Sequence, residues 1–72
     1  MDKKIVIKKV RHLLKAKGVQ LTKLGEVLGS KGGQQSKIDR ANRLIRGYQK
    51  SVSLDEIKKL AKFFHKSESY FL

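Results

Sequence analysis

The stretch LTKLGEVLGSKGGQQSKIDRANRLIRG, residues 21–47, decides how this chain folds. Leu21, Leu24, Val27 and Leu28 recur at helical spacing and Gly29 stops the pattern, which predicts a short helix over 21–28. Gly25 lies inside that helix. Glycine there costs roughly 1 kcal/mol relative to Ala, a loss usually tolerated where another helix must approach closely. Ser30-Lys31-Gly32-Gly33 has the composition of a turn. A further helix then runs from Gln34 or Ser36 to Arg46, with Ile38, Ala41, Leu44 and Ile45 on its apolar face and Gly47 closing it. Ser36 and Asp39 have the spacing of a capping box at its start. A compact helix holding a small residue, a turn, and a helix with one apolar and one basic face make the anatomy of a helix-turn-helix.

The flanks supply the rest of a small helical core. Val6, Val10, Leu13 and Leu14, with Ile7 beside them, predict a helix over 5–17 that Gly18 ends. The β-branched run Ile5-Val6-Ile7 also suits the start of a short strand. Ser53-Leu54-Asp55-Glu56 is a capping box for a further helix carrying Leu54, Ile57, Leu60, Ala61 and Phe64. Ser67 suits the cap of a last short turn, whose Tyr70, Phe71 and Leu72 would cover the open end of the core. The expected fold is all-α, compact, with four to five helices in one domain over residues 1–72.

Composition narrows the partner. The chain has 72 residues, enough for one small core, and no Cys to staple it. Its 18 Lys and Arg against 6 Asp and Glu leave a net charge of +12. Residues 1–25 alone carry eight Lys and Arg against Asp2, a net of +7. That excess is larger than solubility requires and attracts polyanions, nucleic acid first and anionic membrane second. The apolar run Ile5-Val6-Ile7 ends at Lys8-Lys9, too short for a signal-peptide core, and no stretch approaches a membrane span. A cytoplasmic location is expected. His12 and His65 are far apart in sequence, with no Cys and few acids nearby, so no metal is expected. With no phosphate-binding Gly motif and no carboxylate cluster, neither an enzyme nor a cofactor is expected.

An ordered series of residues resembles the Cro and phage-repressor, or Xre-like, family of helix-turn-helix regulators. Leu13-Leu14, Lys17-Gly18-Val19 and Leu24-Gly25-Glu26-Val27-Leu28-Gly29 match its front half. Ala41-Asn42-Arg43-Leu44-Ile45-Arg46-Gly47 looks like the end of the family's recognition helix and the Gly after it. The run from Ser53 to Lys62 looks like its fourth helix, and Ser69-Tyr70-Phe71-Leu72 like its closing turn. The resemblance covers nearly the whole chain. It implies a lambda-repressor-like DNA-binding domain, a sequence-specific regulator of phage or plasmid type and a repressor, acting as a homodimer on a palindromic duplex site. The helix around 34–46 would enter the major groove.

Three departures stand against the family pattern. About six extra residues separate Gly29 from Ala41, lengthening the turn or adding a turn to the recognition helix. Leu21 stands where the family typically has a phosphate-contacting Gln, and Val52 where a Pro is common.

A helical wheel opposes the apolar face of the 34–46 helix with a face centred near Asp39 and Arg43 and flanked by Ser36, Arg40 and Arg46. Arg matches guanine acceptors, and Gln matches adenine. Gln34, Gln35, Ser36, Asp39, Arg40 and Arg43 are therefore the base-reading candidates, with Asp39 placed to orient Arg43 four residues on or to act as a cap. Lys23, Lys31, Lys37, Arg46, Tyr48, Gln49 and Lys50 flank that helix and are the phosphate-contacting candidates. The alternatives are an antitoxin-type interaction module that binds a protein partner and secondarily DNA, and a basic RNA-binding or membrane-surface protein. Against RNA, the basic helices carry no aromatic residue before Tyr48.

Overall fold

Apolar spacing becomes helix throughout the computed structural model, which describes residues 3–71. The elements are α1 (Lys3–Lys17), α2 (Leu21–Val27), α3 (Gln34–Ile45), α4 (Leu54–Phe64) and a closing 3-10 helix, Glu68–Phe71. No strand occurs among the described residues, and Ile5-Val6-Ile7 lies within α1. Gly18 ends α1 with φ 65°, a left-handed conformation that glycine adopts without strain. That turn lets the Val19 N–H bond back to the Leu14 carbonyl at 2.9 Å.

One core draws on every element. α1 contributes Val6, Val10, Leu13 and Leu14, α2 contributes Leu24, and α3 contributes Ala41 and Leu44. α4 adds Ile57, Leu60, Ala61 and Phe64, and Phe71 of the 3-10 helix closes the end, as expected for that turn. Leu28 and Val52, both outside the helices, complete the core. Burying a side chain of this size contributes roughly 1.5–3 kcal/mol, so these residues carry most of the favourable energy of folding. Leu54 departs from its predicted apolar face. It is the first residue of α4, lies beyond the edge of the core and is 51% exposed. Leu72 lies outside the described residues.

The two predicted capping boxes fare differently. At α4 the box forms: the Glu56 N–H donates to Ser53 Oγ at 3.2 Å and the Ser53 N–H to Glu56 Oε1 at 2.9 Å. At α3 it does not. The N-cap is Gly33, no side chain caps the helix, and Ser36 is already its third residue. The helix is already running there, with the Lys37 N–H on the Gly33 carbonyl at 3.1 Å. Ser67 also fails as a side-chain cap, because its hydroxyl pairs with Ser69 Oγ, while its carbonyl accepts the Tyr70 N–H. α4 ends at His65, a non-glycine residue in the left-handed region at φ 57°, ψ 42°.

Candidate nucleic-acid interface

The site begins at the point where α2 and α3 touch. A Cβ added to Gly25 would stand 2.0 Å from the Lys37 carbonyl oxygen, so only glycine fits this crossing. The two backbones therefore meet without a side chain between them. The contact fixes the first turn of α3 against α2 and turns the far side of α3 outward. Between them, Gly29 N donates to the Glu26 carbonyl and Ser30 N to the Gly25 carbonyl, each at 3.0 Å. Residues 30–33 stay outside the helices, while Gln34, Gln35 and Ser36 are the first three residues of α3.

α3 presents an exposed stripe. Gln34, Gln35, Ser36, Asp39, Arg43 and Arg46 are all exposed, and Ser36, Asp39, Arg43 and Arg46 follow each other at intervals of three and four. Shallow depressions flank the stripe. One is lined by Ser30, Ser36, Asp39 and Arg43, the other by Asp39, Asn42, Arg46 and Tyr48. Tyr48 is 70% exposed, so its ring does not pack on α4. Lys31 and Lys50 are exposed at the two ends of this surface.

Several sequence-predicted site residues are paired with other side chains of the protein. Arg40 points toward α4: its guanidinium lies 2.6 Å from Glu56 Oε2 and donates to Gln49 Oε1 at 3.2 Å. Gln49 in turn donates to Ser51 O and to the Glu56 carboxylate. Lys37 pairs with Glu26 at 2.8 Å, and Lys23 stands 3.8 Å from the same carboxylate. Asp39 accepts a hydrogen bond from Gln35 Nε2 at 2.9 Å. Its carboxylate thus orients Gln35 rather than Arg43, and it does not cap α3. Leu21 packs against the core.

The carboxylates respond to these cations. Burial alone would raise the Glu56 carboxyl. Hydrogen bonds from the Ser53 backbone, Arg40, Gln49 and the Ser53 hydroxyl outweigh burial and hold it at about 2. The Lys37 hydrogen bond and charge, with help from Lys23, hold Glu26 below its usual value. Both acids are therefore ionised at neutral pH, and each neutralises cations behind the stripe. The cations around the stripe that stay uncompensated are Arg43, Arg46, Lys31 and Lys50, none of which forms an ion pair with a described residue.

Lys3 was not among the sequence candidates, yet it positions the end of α3. Its ammonium donates to the Gly47 carbonyl at 3.1 Å and the Gln49 carbonyl at 3.2 Å, tying α1 to the α3–α4 connection. A cation at the negative end of a helix is favourable, but its partner lies 44 residues away and leaves no local sequence signal. No protein-family model, curated protein or solved structure matches this chain.

Proposed function

We propose that this protein binds double-stranded DNA sequence-specifically through a helix-turn-helix made of α2 and α3, and regulates transcription as a repressor. The observation that carries this reading is the stripe Ser36, Asp39, Arg43 and Arg46, exposed on a helix that α2 braces from behind at Gly25. An α-helix with such a face fits the major groove, where side chains reach base edges. The net charge of +12 supplies the sequence-independent attraction that brings a duplex to it. The resemblance to Xre-like regulators supports the same reading.

In this reading Arg43 reads a base, and guanine offers its guanidinium two acceptors. Gln34 and the paired Gln35 and Asp39 stand at the leading end of α3, where base contacts concentrate in such motifs. Arg46, Tyr48, Lys50, Lys31 and Lys23 contact phosphates on either side. Arg40, Gln49 and Lys37 act from within, by holding α3, its following connection and α2 in register. Two copies on a palindrome would double the contacts and fix the half-site spacing at about one helical turn.

The test is selection from a randomised duplex library by the full chain at about physiological salt. Enrichment of one motif, repeated as an inverted pair, is expected. Recovery of duplexes with no sequence in common would overturn the specific reading.

A further inference from the structure

A second surface lies apart from the centre of the α3 stripe, between α1 and the end of α3. It is a groove of about 570 Å³ with Ile7 and Ile45, both half-buried, on its floor. Its walls carry Lys8, Arg11 and Arg46, all exposed, together with Lys3 and Lys4. Among the described residues no carboxylate lines it. Lys8, Arg11 and Arg46 form no ion pair with any described residue. The rim from Lys3 to Arg11 spans eight helical steps of α1, a length of about 12 Å. About four residues of extended chain have that length.

We propose that this groove docks a short acidic segment of a partner protein, with one aliphatic or aromatic side chain seated on Ile7 and Ile45 and its carboxylates on Lys8, Arg11 and Arg46. Charge complementarity selects the occupant. A segment without acids would leave the cations unanswered, and a polyanion without apolar groups would leave the isoleucine floor unused. A nucleic-acid backbone meets the first demand and not the second. The combination of apolar floor and cationic rim is the pattern by which protein grooves take acidic amphipathic segments. The groove stands independently of the DNA reading. It shares only Arg46 with the proposed phosphate contacts, so the protein could hold a duplex and a protein partner on adjoining surfaces.

The test is a titration of the ¹⁵N-labelled full chain with the acetylated, amidated peptide DELFDE, followed by amide chemical shifts. Saturable shifts at Ile7, Ile45 and Gly47 are expected. The peptide DESSDE, with the same charge and no apolar pair, should bind at least about tenfold more weakly, the equivalent of one apolar side chain leaving its seat. Lys8→Glu combined with Arg11→Glu should abolish binding while circular dichroism shows unchanged helix, since both side chains are exposed. The proposal is overturned if DELFDE produces no saturable shifts, if the shifts centre on Asp39 and Arg43, or if DESSDE binds equally well. The last result would make the groove a charge field that serves any polyanion, DNA phosphates included.

Discussion

The guanidinium of Arg40, midway along α3, lies 2.6 Å from the carboxylate of Glu56 in the first turn of α4. The two residues, sixteen apart in sequence, join α3 to α4, and their side chains are only 23% and 13% exposed. It also carries Gln49, so the connection after α3 is held by the same cluster. Arg40 and Arg43 look equivalent in sequence, but the structure gives them different work. The first is committed to the protein and the second faces solvent.

Arg40→Ala should therefore lower stability by about 1–3 kcal/mol, because it leaves a half-buried carboxylate short of a partner. Arg43→Ala should change stability by no more than about 0.5 kcal/mol, as for other surface positions. Denaturant unfolding of both variants checks this, and a double-mutant cycle of Arg40→Ala with Glu56→Ala should show coupling above about 0.5 kcal/mol. Strict additivity would contradict the pairing.

Acid should dissolve the same cluster. The Glu56 carboxyl is held at about 2 against an ordinary 4.5. A carboxyl lowered on folding adds stability that is complete above the unfolded value and is lost as pH falls through the folded one. Stability should thus fall from about pH 5 towards pH 2, with Glu26 acting in the same direction. Glu56→Gln should flatten that part of the profile while lowering stability at pH 7. Thermal unfolding across this range checks it, and parallel profiles would contradict it.

The α2–α3 crossing should tolerate no side chain. Gly25→Ala places a methyl 2.0 Å from a backbone oxygen that cannot swing aside. A loss of about 3 kcal/mol is expected, the upper end of overpacking. In a domain of this size that lowers the unfolding midpoint by more than about 12 °C. Gly33→Ser, where nothing lies within 4 Å, is the control and should change stability by only about 0.3 kcal/mol.

The end of α4 offers the opposite effect. His65 sits at φ 57°, where a β-carbon is strained and glycine is not. The side chain is exposed, so removing it forfeits little packing. His65→Gly should raise stability by about 0.5–1 kcal/mol, measured by denaturant midpoint. A loss would show that the imidazole contributes contacts of its own.

Much of the fold was legible from spacing. Val6, Val10, Leu13 and Leu14 mark α1, and Ile57, Leu60, Ala61 and Phe64 mark α4, because burial imposes a helical period on the chain. Gly25 was legible as a site of close approach because glycine inside a helix needs a reason. Spacing alone leaves the start of α3 open between Gln34 and Ser36, and the helix begins at Gln34. Ser36 and Asp39 have the spacing of a cap, but Gly33 is the N-cap and Ser36 already lies inside the helix. The wheel placed Ser36, Asp39, Arg43 and Arg46 on one outward face, and they lie there. It could not separate Arg40 from Arg43, since Glu56 and Gln49 come from outside α3 and leave no trace in its periodicity. Lys3 was invisible for the same reason, its partners lying 44 and 46 residues along the chain, and the burial of Val52, outside any helix, follows no helical period.

The most direct test of DNA reading by α3 is to compare wild type, Arg43→Ala and Lys50→Ala on the selected duplex and its single-base variants. Arg43→Ala should cost about 1–3 kcal/mol and lose discrimination at one base pair of each half-site. Lys50→Ala should weaken every duplex alike and reduce the salt dependence by about one counterion. The account is contradicted if Arg43→Ala weakens all duplexes uniformly, or if no duplex is preferred by the wild-type protein.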